Sequence, residues 1–199
     1  MISFIDLSNE KPYEEFKFHY DRAKILNQRA IEAMVISSYE QKSKEVDSRF
    51  VNLKYIYKNK WVFFTNYMSP KAIQFQSHNQ VSVIFFWQVT NIQIRMKATV
   101  SRTPSEFSDK HFHSRANDKN ALAISSNQSK KIDSYDDVIS KYKKTLNNAE
   151  LLKKRPSNWG GYEFIPYYFE FWEGNENRLN KRKCYEYIDD KWISFFLQP

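Results

Sequence analysis

The stretch from Ile92 to Val100 constrains the fold more than any other part of this chain. Apolar residues occupy every second position, and polar residues occupy the positions between them. Successive side chains of a β-strand point to opposite faces, so this alternation predicts a strand with one face in the core and the other facing solvent. The apolar run Val81–Trp87 lies just before it and predicts a central strand. The two segments together indicate a sheet.

Segments rich in β-branched and aromatic residues predict that strands dominate the rest of the chain as well. These segments are 33–38, 49–57, 61–65, 161–165, 168–172, 178–187 and 192–197. The turn at 58–60 would join two of them into a hairpin, whereas the polar stretch 39–47 indicates a loop.

Helices are predicted between these strands. Pro12 and Pro70 suit a first helical turn, Ser69 suits an N-cap, and Thr103 with Glu106 forms a capping-box pattern. The predicted helices cover 12–32, 70–77, 103–114, 118–125 and 134–147.

The pattern as a whole predicts a single domain over residues 1–199. We expect residues 1–11 to be flexible, 153–158 to be a linker, and 159–199 to supply the closing strands. Strands with helices inserted between them are typical of an antiparallel barrel, so the predicted fold class is mainly β with peripheral helices.

Charge and cysteine content narrow the possible partners. The net charge is +8, but the positive residues are scattered, so no nucleic acid partner is expected. Cys184 is the only cysteine, which suits a reducing compartment. No apolar run approaches the roughly 18 residues of a membrane span, and the N-terminus lacks a signal-peptide pattern. We therefore expect a cytoplasmic protein that does not enter a membrane.

The side chains offer little redox or metal chemistry of their own. The four histidines show no metal-ligand spacing with Cys184, so no metal is expected. With only three glycines, the chain has no glycine-rich phosphate loop. A bound phosphate would therefore be held by side chains and ordinary backbone donors, and a cofactor would carry any difficult reaction.

The segment 171–182 predicts a strand, a turn at Gly174 and a second strand. If the second strand begins at Arg178, then Arg178, Asn180 and Arg182 share one face. Together with Trp172 they would form a pocket wall for a flat anionic ligand, because guanidinium groups bind phosphate or carboxylate and an indole offers a stacking plane. The alternative is a solvated basic hairpin edge.

Motifs spread from about residue 12 to the end of the chain resemble the pyridoxamine (pyridoxine) 5′-phosphate oxidase family. They are Arg49–Lys54, Phe63–Asn66, Ser69–Ala72, Val81–Trp87, Gln93, Phe112–Arg115, Gln128-Ser129, Trp159–Gly161, Phe171–Arg182, Leu197 and Pro199. They follow the family's order with nearly constant spacing, which makes the set specific.

The resemblance implies an FMN-binding split β-barrel that forms a homodimer, with FMN at the subunit interface. It implies oxidation of pyridoxamine or pyridoxine 5′-phosphate to pyridoxal 5′-phosphate by hydride transfer to the flavin. O2 would then reoxidise the flavin and give H2O2.

The resemblance also implies site residues. Those implied for FMN are Arg49, Phe50, Val51, Asn52, Leu53, Lys54, Phe64, Thr65, Lys71, Gln93, Gln128, Ser129, Trp172 and Arg182. Those implied for the substrate are Lys54, His111, Arg115, Lys119, Arg178 and Asn180. Arg178 is the implied catalytic residue, which would orient the carbon that gives up hydride.

Four positions differ from the family pattern. Pro70 stands where arginine is usual, His111 where tyrosine is usual, Lys119 where serine is usual and Asn180 where histidine is usual. These differences leave two alternatives open. One is a flavin oxidoreductase of the same fold that acts on a different flat heterocycle, and the other is a non-catalytic FMN-binding protein.

Overall fold

The computed structural model describes all residues from 1 to 199, and strands form its centre. The strands are β1 (Ser3–Ile5), β2 (Ala33–Glu40), β3 (Glu45–Tyr57), β4 (Lys60–Asn66), β5 (Gln80–Trp87), β6 (Ile92–Arg102), β7 (Trp159–Glu173), β8 (Lys181–Ile188) and β9 (Lys191–Leu197). The helices are α1 (Lys11–Ile25), α2 (Pro70–Ser77), α3 (Ser105–Ser114), α4 (Asn117–Ser125), α5 (Tyr135–Leu146) and α6 (Ala149–Leu152).

Six antiparallel strands close into a ring. In order around the ring they are β2, β5, β6, β7, β4 and β3, and β3 pairs again with β2. Two further strands, β8 and β9, extend the sheet beyond β7, while β1 adds to β3 in parallel. The expected fold class, mainly β with peripheral helices, is therefore confirmed.

An aromatic core fills the ring, and α1 packs over it. Phe16 of α1 is fully buried, with its ring centroid 4.4 Å from that of Trp61 and 5.4 Å from that of Phe85. The alternation predicted for β6 is confirmed, because Ile92, Ile94, Met96, Ala98 and Val100 are all buried. Strands with one apolar face therefore supply the core that the sequence predicts.

A β-bulge at Lys54 interrupts β3. Leu53 pairs with Phe63 but Tyr55 pairs with Val62, so β3 has one extra residue at this point. Both Leu53 and Ile56 are buried, which leaves the two side chains between them on the outer face. A bulge re-aims side chains in this way, and here it turns two consecutive residues outward.

Several predicted boundaries are wrong. The helix predicted at 12–32 ends at Ile25, because Asn27 and Ala30 adopt positive φ and the following apolar Ile31 belongs to a turn. The loop predicted at 39–47 is shorter, since β2 and β3 continue as a hairpin to Glu40 and Glu45. The strands predicted at 161–165 and 168–172 form one strand, β7, with a register shift near Pro166.

Part of the N-terminal segment contacts the rest of the fold. Residues 3–5 pair with β3, Ile2 is buried, and the Phe4 ring lies 5.0 Å from that of Tyr20. Strand pairing and apolar contacts thus join residues 2–5 to β3 and α1.

The second strand of the C-terminal hairpin begins later than predicted. Residues 174–180 form the turn, β8 starts at Lys181, and Arg178 has a φ of 61°, in the left-handed region. The prediction that Arg178, Asn180 and Arg182 share a strand face is therefore wrong. The period of two does not hold through a turn.

None of the helices is both long and apolar enough to cross a membrane. No three His, Cys, Asp or Glu side chains come together as they do around a bound metal ion.

We expect Phe16→Ala to lower the free energy of unfolding by about 3–5 kcal/mol, because it leaves a cavity among the core aromatic rings. Urea denaturation at fixed protein concentration measures the change. Phe18→Ala is the matched control on the same helix, since Phe18 is 57% exposed, and we expect it to cost less than about 1 kcal/mol. Equal losses in the two variants would contradict the role of Phe16 in closing the ring.

Candidate active site

A cleft of about 840 Å³ lies on the outer side of β3 and β4. The start of α2, the corner between α3 and α4, and the loop after α4 complete its walls. Thirteen of the residues implied by the resemblance line it: Arg49, Phe50, Val51, Asn52, Lys54, Phe64, Thr65, Lys71, His111, Arg115, Lys119, Gln128 and Ser129. Side chains that are far apart in the sequence therefore meet in one place.

Arg49 and Lys71 form the first cationic pocket of the cleft. Nη1 of Arg49 donates to Ser38 Oγ at 2.5 Å and to the Ile36 carbonyl at 3.4 Å. These bonds hold the guanidinium at the edge of β3. Its ion pair is with Asp47, whose carboxylate lies 3.5 Å from Nη2 and is 55% exposed.

Lys71 is buried and forms no ion pair. Its Nζ donates to Thr65 Oγ1 at 3.2 Å and to Ser69 Oγ at 3.4 Å, both of which are neutral. Burial, together with the charge of Arg49, lowers the pKa of Lys71 to about 8. A buried ammonium beside a guanidinium has a deficit of negative charge, which a bound anion such as phosphate would supply.

Lys54, Arg115 and Lys119 form the second cationic pocket. The Arg115 guanidinium lies 4.4 Å from the Trp159 ring, and its Nη2 donates to the Lys119 carbonyl at 3.0 Å. Its Nη1 is buried without a hydrogen-bond partner, and the nearest acid to Lys54 is Glu32 at 3.9 Å. An unpaired donor among several cations indicates a second site for an anion.

His111 lies on the wall of the second pocket. Its ring stacks on Phe64 with the centroids 3.7 Å apart and the planes 13° apart. Burial lowers its pKa to about 4, and the neighbouring charges of Arg115 and Lys54 act in the same direction. His111 is therefore neutral near neutral pH.

Flat side chains form an aromatic wall of the cleft beside the second pocket. The Phe64 and Trp159 rings are nearly parallel, with centroids 5.3 Å apart. Gly161 lies against this wall, and a Cβ there would be 3.1 Å from the Phe64 ring and 2.5 Å from Thr103 Oγ1. The absence of a side chain at Gly161 thus leaves room for the Phe64 ring and for Thr103.

The loop after α4 covers one end of the cleft. Gln128 Oε1 accepts a hydrogen bond from the Asn66 amide at 3.3 Å, which ties the loop to the end of β4. Ser129 has a φ of 67°, a left-handed conformation that is uncommon outside glycine and asparagine. Gln128 and Ser129 of this loop thus line the same cleft as Lys71.

Six of the implied residues do not line the cleft. They are Leu53, Gln93, Trp172, Arg178, Asn180 and Arg182. Leu53 is fully buried in the core, so only its backbone borders the site. Gln93, Trp172 and Arg182 are direct neighbours on β6, β7 and β8, and the turn with Arg178 and Asn180 lies beside them.

Phe50 of the cleft begins a row of paired residues that runs through Val35, Ile84 and Arg95 to Glu170 on β7. In the other direction around the ring, β4 alone separates β3 from β7, and its residue Phe64 pairs with Gly161 near the start of β7. Trp172 lies eleven residues further along β7, roughly 35 Å of strand. The second group of implied residues therefore lies at the other end of β7 from the part that borders the cleft.

Glu170 organises this second group. It is 1% exposed, and its carboxylate accepts from Arg182 Nε at 2.9 Å and lies 3.2 Å from Arg95 Nη2. Arg182 Nη1 also donates to the Gln198 carbonyl at 3.0 Å. The guanidinium of Arg182 is thus fixed from two sides at the protein surface.

Three residues with a part in these sites were not predicted from the sequence. Trp159 lines the cleft, Tyr55 bonds to His111, and Glu170 holds Arg182. Trp159 belonged to a family motif, and Glu170 stands between phenylalanines in a strand, which is an unusual place for an acid. Tyr55 was not predicted because regular alternation from Leu53 would place it in the core, and only the bulge turns it outward.

Most of the chain matches two family descriptions. Residues 23–156 match "Pyridoxamine 5′-phosphate oxidase", and residues 159–199 match "Pyridoxine 5′-phosphate oxidase C-terminal dimerisation region". Proteins named pyridoxine/pyridoxamine 5′-phosphate oxidase are similar throughout. The one from Coxiella burnetii is 34% identical over 98% of each chain. The one from Colwellia psychrerythraea is 37% identical over 84% of this chain and 77% of the relative.

Solved structures share the fold. PhzG from Burkholderia lata 383, in complex with tetrahydrophenazine-1-carboxylic acid, has a TM-score of 0.86 at 23% identity, over 96% of this chain and 93% of that chain. A pyridoxamine 5′-phosphate oxidase-related, FMN binding protein from Nostoc punctiforme PCC 73102 has a TM-score of 0.78 at 13% identity, over 96% and 99%. At these identities the similarity shows the fold alone.

We expect Lys71→Met to raise the free energy of unfolding of the ligand-free protein by about 1–3 kcal/mol, because it removes a buried unpaired charge. The folded-state pKa is lowered, so this cost is complete below about pH 8 and disappears as the pH rises towards 10.5. The gain should shrink over the same range in urea denaturation.

Lys42→Met is the matched control, because Lys42 is exposed in the turn between β2 and β3. We expect it to change the free energy of unfolding by less than about 0.5 kcal/mol. A loss of stability in Lys71→Met would show that the hydrogen bonds of the ammonium outweigh the cost of burying it.

Proposed function

Because the chain belongs to the pyridoxamine 5′-phosphate oxidase family, a family of FMN-dependent oxidases, we propose that it oxidises pyridoxamine or pyridoxine 5′-phosphate to pyridoxal 5′-phosphate. The observation that carries the proposal is the presence of two groups of cations and a pair of stacked aromatic rings in one cleft. A reaction between a flavin phosphate and a vitamin phosphate needs two such pockets.

The first pocket fits the phosphate of FMN. Lys71 has no carboxylate partner, so a phosphate would supply the missing charge for Lys71 and Arg49, with Ser129 as a further donor. Residues 50–54, Phe64, Thr65 and Gln128 would line the flavin ring. FMN, when bound, supplies the chemistry of accepting a hydride from the substrate and of passing the electrons to O2 with release of H2O2.

The second pocket would hold the substrate phosphate. Lys54, Arg115 and Lys119 offer three positive charges, which suit a phosphate dianion better than a singly charged carboxylate. Neutral His111 would add a hydrogen-bond donor. This excess of positive charge favours a phosphorylated vitamer over the alternative of an unphosphorylated heterocycle.

A homodimer would complete the site. Gln93, Trp172 and Arg182 pair at the end of β7 that lies away from the cleft of their own chain, so they would serve the cleft of a partner. The match of residues 159–199 to a dimerisation region supports this arrangement. The two clefts would then be shared between chains in a two-fold symmetric pair.

Arg178 would act in the partner's cleft. It is exposed in the turn before β8, and its left-handed backbone is fixed by a hydrogen bond from its amide to the Asn175 carbonyl at 3.0 Å. From there its guanidinium would orient the substrate carbon against the flavin, and Asn180 would add a hydrogen-bonding group. Orientation of this kind lowers the barrier without any proton transfer by the arginine.

The direct test is a reduction assay. We expect the purified protein to bind FMN, and anaerobic pyridoxamine 5′-phosphate to bleach the flavin absorbance. Hydrolysis of the resulting imine by water should release pyridoxal 5′-phosphate and NH3, and admitting oxygen should restore the colour and give one H2O2 for each pyridoxal 5′-phosphate. A protein that takes up no FMN would contradict the proposal, and a bound flavin that this substrate leaves oxidised would point to another heterocycle.

We expect Arg178→Ala to lower turnover by about 10²-fold while FMN stays bound, because only the orientation of the substrate is lost. Glu176→Ala in the same exposed turn is the matched control and should leave turnover unchanged. Hybrid dimers of Arg178→Ala and Lys71→Met chains should regain activity, because one of their two clefts has both residues intact. Hybrids as inactive as the parent variants would rule out a shared site.

A further inference from the structure

The bulge in β3 brings Tyr55 to the cleft. Regular alternation from buried Leu53 would turn Tyr55 into the core, but the extra residue at Lys54 places it on the outer face. Its ring lies edge-on to Phe64, Phe107 and His111, with centroids 6.3, 5.4 and 5.4 Å apart. Tyr55 is therefore held in a fixed position behind the second pocket.

The Tyr55 hydroxyl lies 2.8 Å from Nδ1 of His111. A phenol carries one proton, and Nδ1 is the only acceptor that the protein offers to it. If Nδ1 instead carried the proton, the phenol hydrogen would have no acceptor in the protein. Full pairing thus requires that Tyr55 donates and that His111 carries its own proton on Nε2.

The charged groups around His111 make this tautomer matter. Arg115 just after α3, Lys54 from β3 and Lys119 from α4 share its pocket, while the rings of Phe64 and Trp159 that stack with it are uncharged. The ring is neutral in these surroundings, so it has only one proton to give. A proton on Nε2 makes the ring a donor into the pocket, whereas a proton on Nδ1 would present a lone pair to an incoming anion.

We propose that Tyr55 is a positioning residue, which fixes His111 as a neutral Nε2–H donor to the phosphate bound in the second pocket. The inference rests on the proposed function, since it assigns that pocket to the substrate phosphate. It adds a residue from β3 to the recognition of the substrate, although Tyr55 itself touches no ligand.

The first test measures the tautomer. In FMN-loaded protein labelled with ¹⁵N-histidine, we expect His111 to show a protonated, pyrrole-type Nε2 and an unprotonated, pyridine-type Nδ1. Tyr55→Phe should turn this single form into a mixture, whereas Tyr57→Phe, the control two residues along the same strand, should not. A protonated Nδ1 in the parent protein, or the same tautomer in Tyr55→Phe, would overturn the inference.

The second test is a double-mutant cycle with inorganic phosphate as the probe. FMN fills the first pocket, so calorimetric titration reports the second. We expect Tyr55→Phe to weaken phosphate binding by about three- to tenfold, the effect of losing one neutral hydrogen bond. In the background of His111→Phe, which keeps the stacked ring, Tyr55→Phe should have no further effect.

The outcomes separate the two proposals. Equal losses from Tyr55→Phe with and without His111 would mean that Tyr55 acts only through packing, and would overturn the inference while leaving the proposed function intact. Failure to bind FMN would contradict the proposed function, and the tautomer measurement on the flavin-free protein would still decide the inference. Unchanged flavin content and circular dichroism in each variant identify a folded protein.

Discussion

The structure depends on the pairing of β4 with both β3 and β7, because this short strand closes the ring. Its inward residues Trp61 and Phe63 are fully buried in the core, while Phe64 and Thr65 reach the cleft. The strand that closes the ring therefore also supplies part of the cleft. Any change that loosens β4 would displace the aromatic wall together with the pocket of Lys71.

Carboxylates are distributed unevenly over the surface that carries both groups of residues. On the β7 side, buried Glu170 neutralises Arg95 and Arg182 and fixes them in place. In the cleft, Lys71 and Arg115 have no such partner. The aromatic core offsets the cost of keeping these charges unpaired, since burial of large rings is the dominant favourable contribution to folding. The stability of the aromatic core thus allows these cations to remain in the cleft without a carboxylate partner.

Local pattern predicted the strands well and the ends of elements poorly. The β6 alternation was decisive because each face of that strand meets a different medium. The alternation of a strand was wrongly extended through Arg178, where the chain turns. The apolar helical pattern that includes Ile31 wrongly extended α1 beyond Ile25. The residues of the cleft come together through contacts between distant segments, and the periodicity of a local sequence does not predict such contacts. Only the family resemblance grouped those residues, and it had no place for Tyr55.

The bulge at Lys54 divides β3 into two halves with different neighbours. Before it, residues 45–52 pair with β2 and carry Arg49, and after it, residues 55–57 pair with β1. Arg49 therefore lies on a segment whose register is set by β2, whereas Lys54 lies at the bulge and Tyr55 just beyond it. Natural variation or laboratory selection could alter Lys54 and Tyr55 without shifting the alignment of the half of β3 that carries Arg49. One extra residue thus separates the two halves of a single strand, so that each half can change without the other.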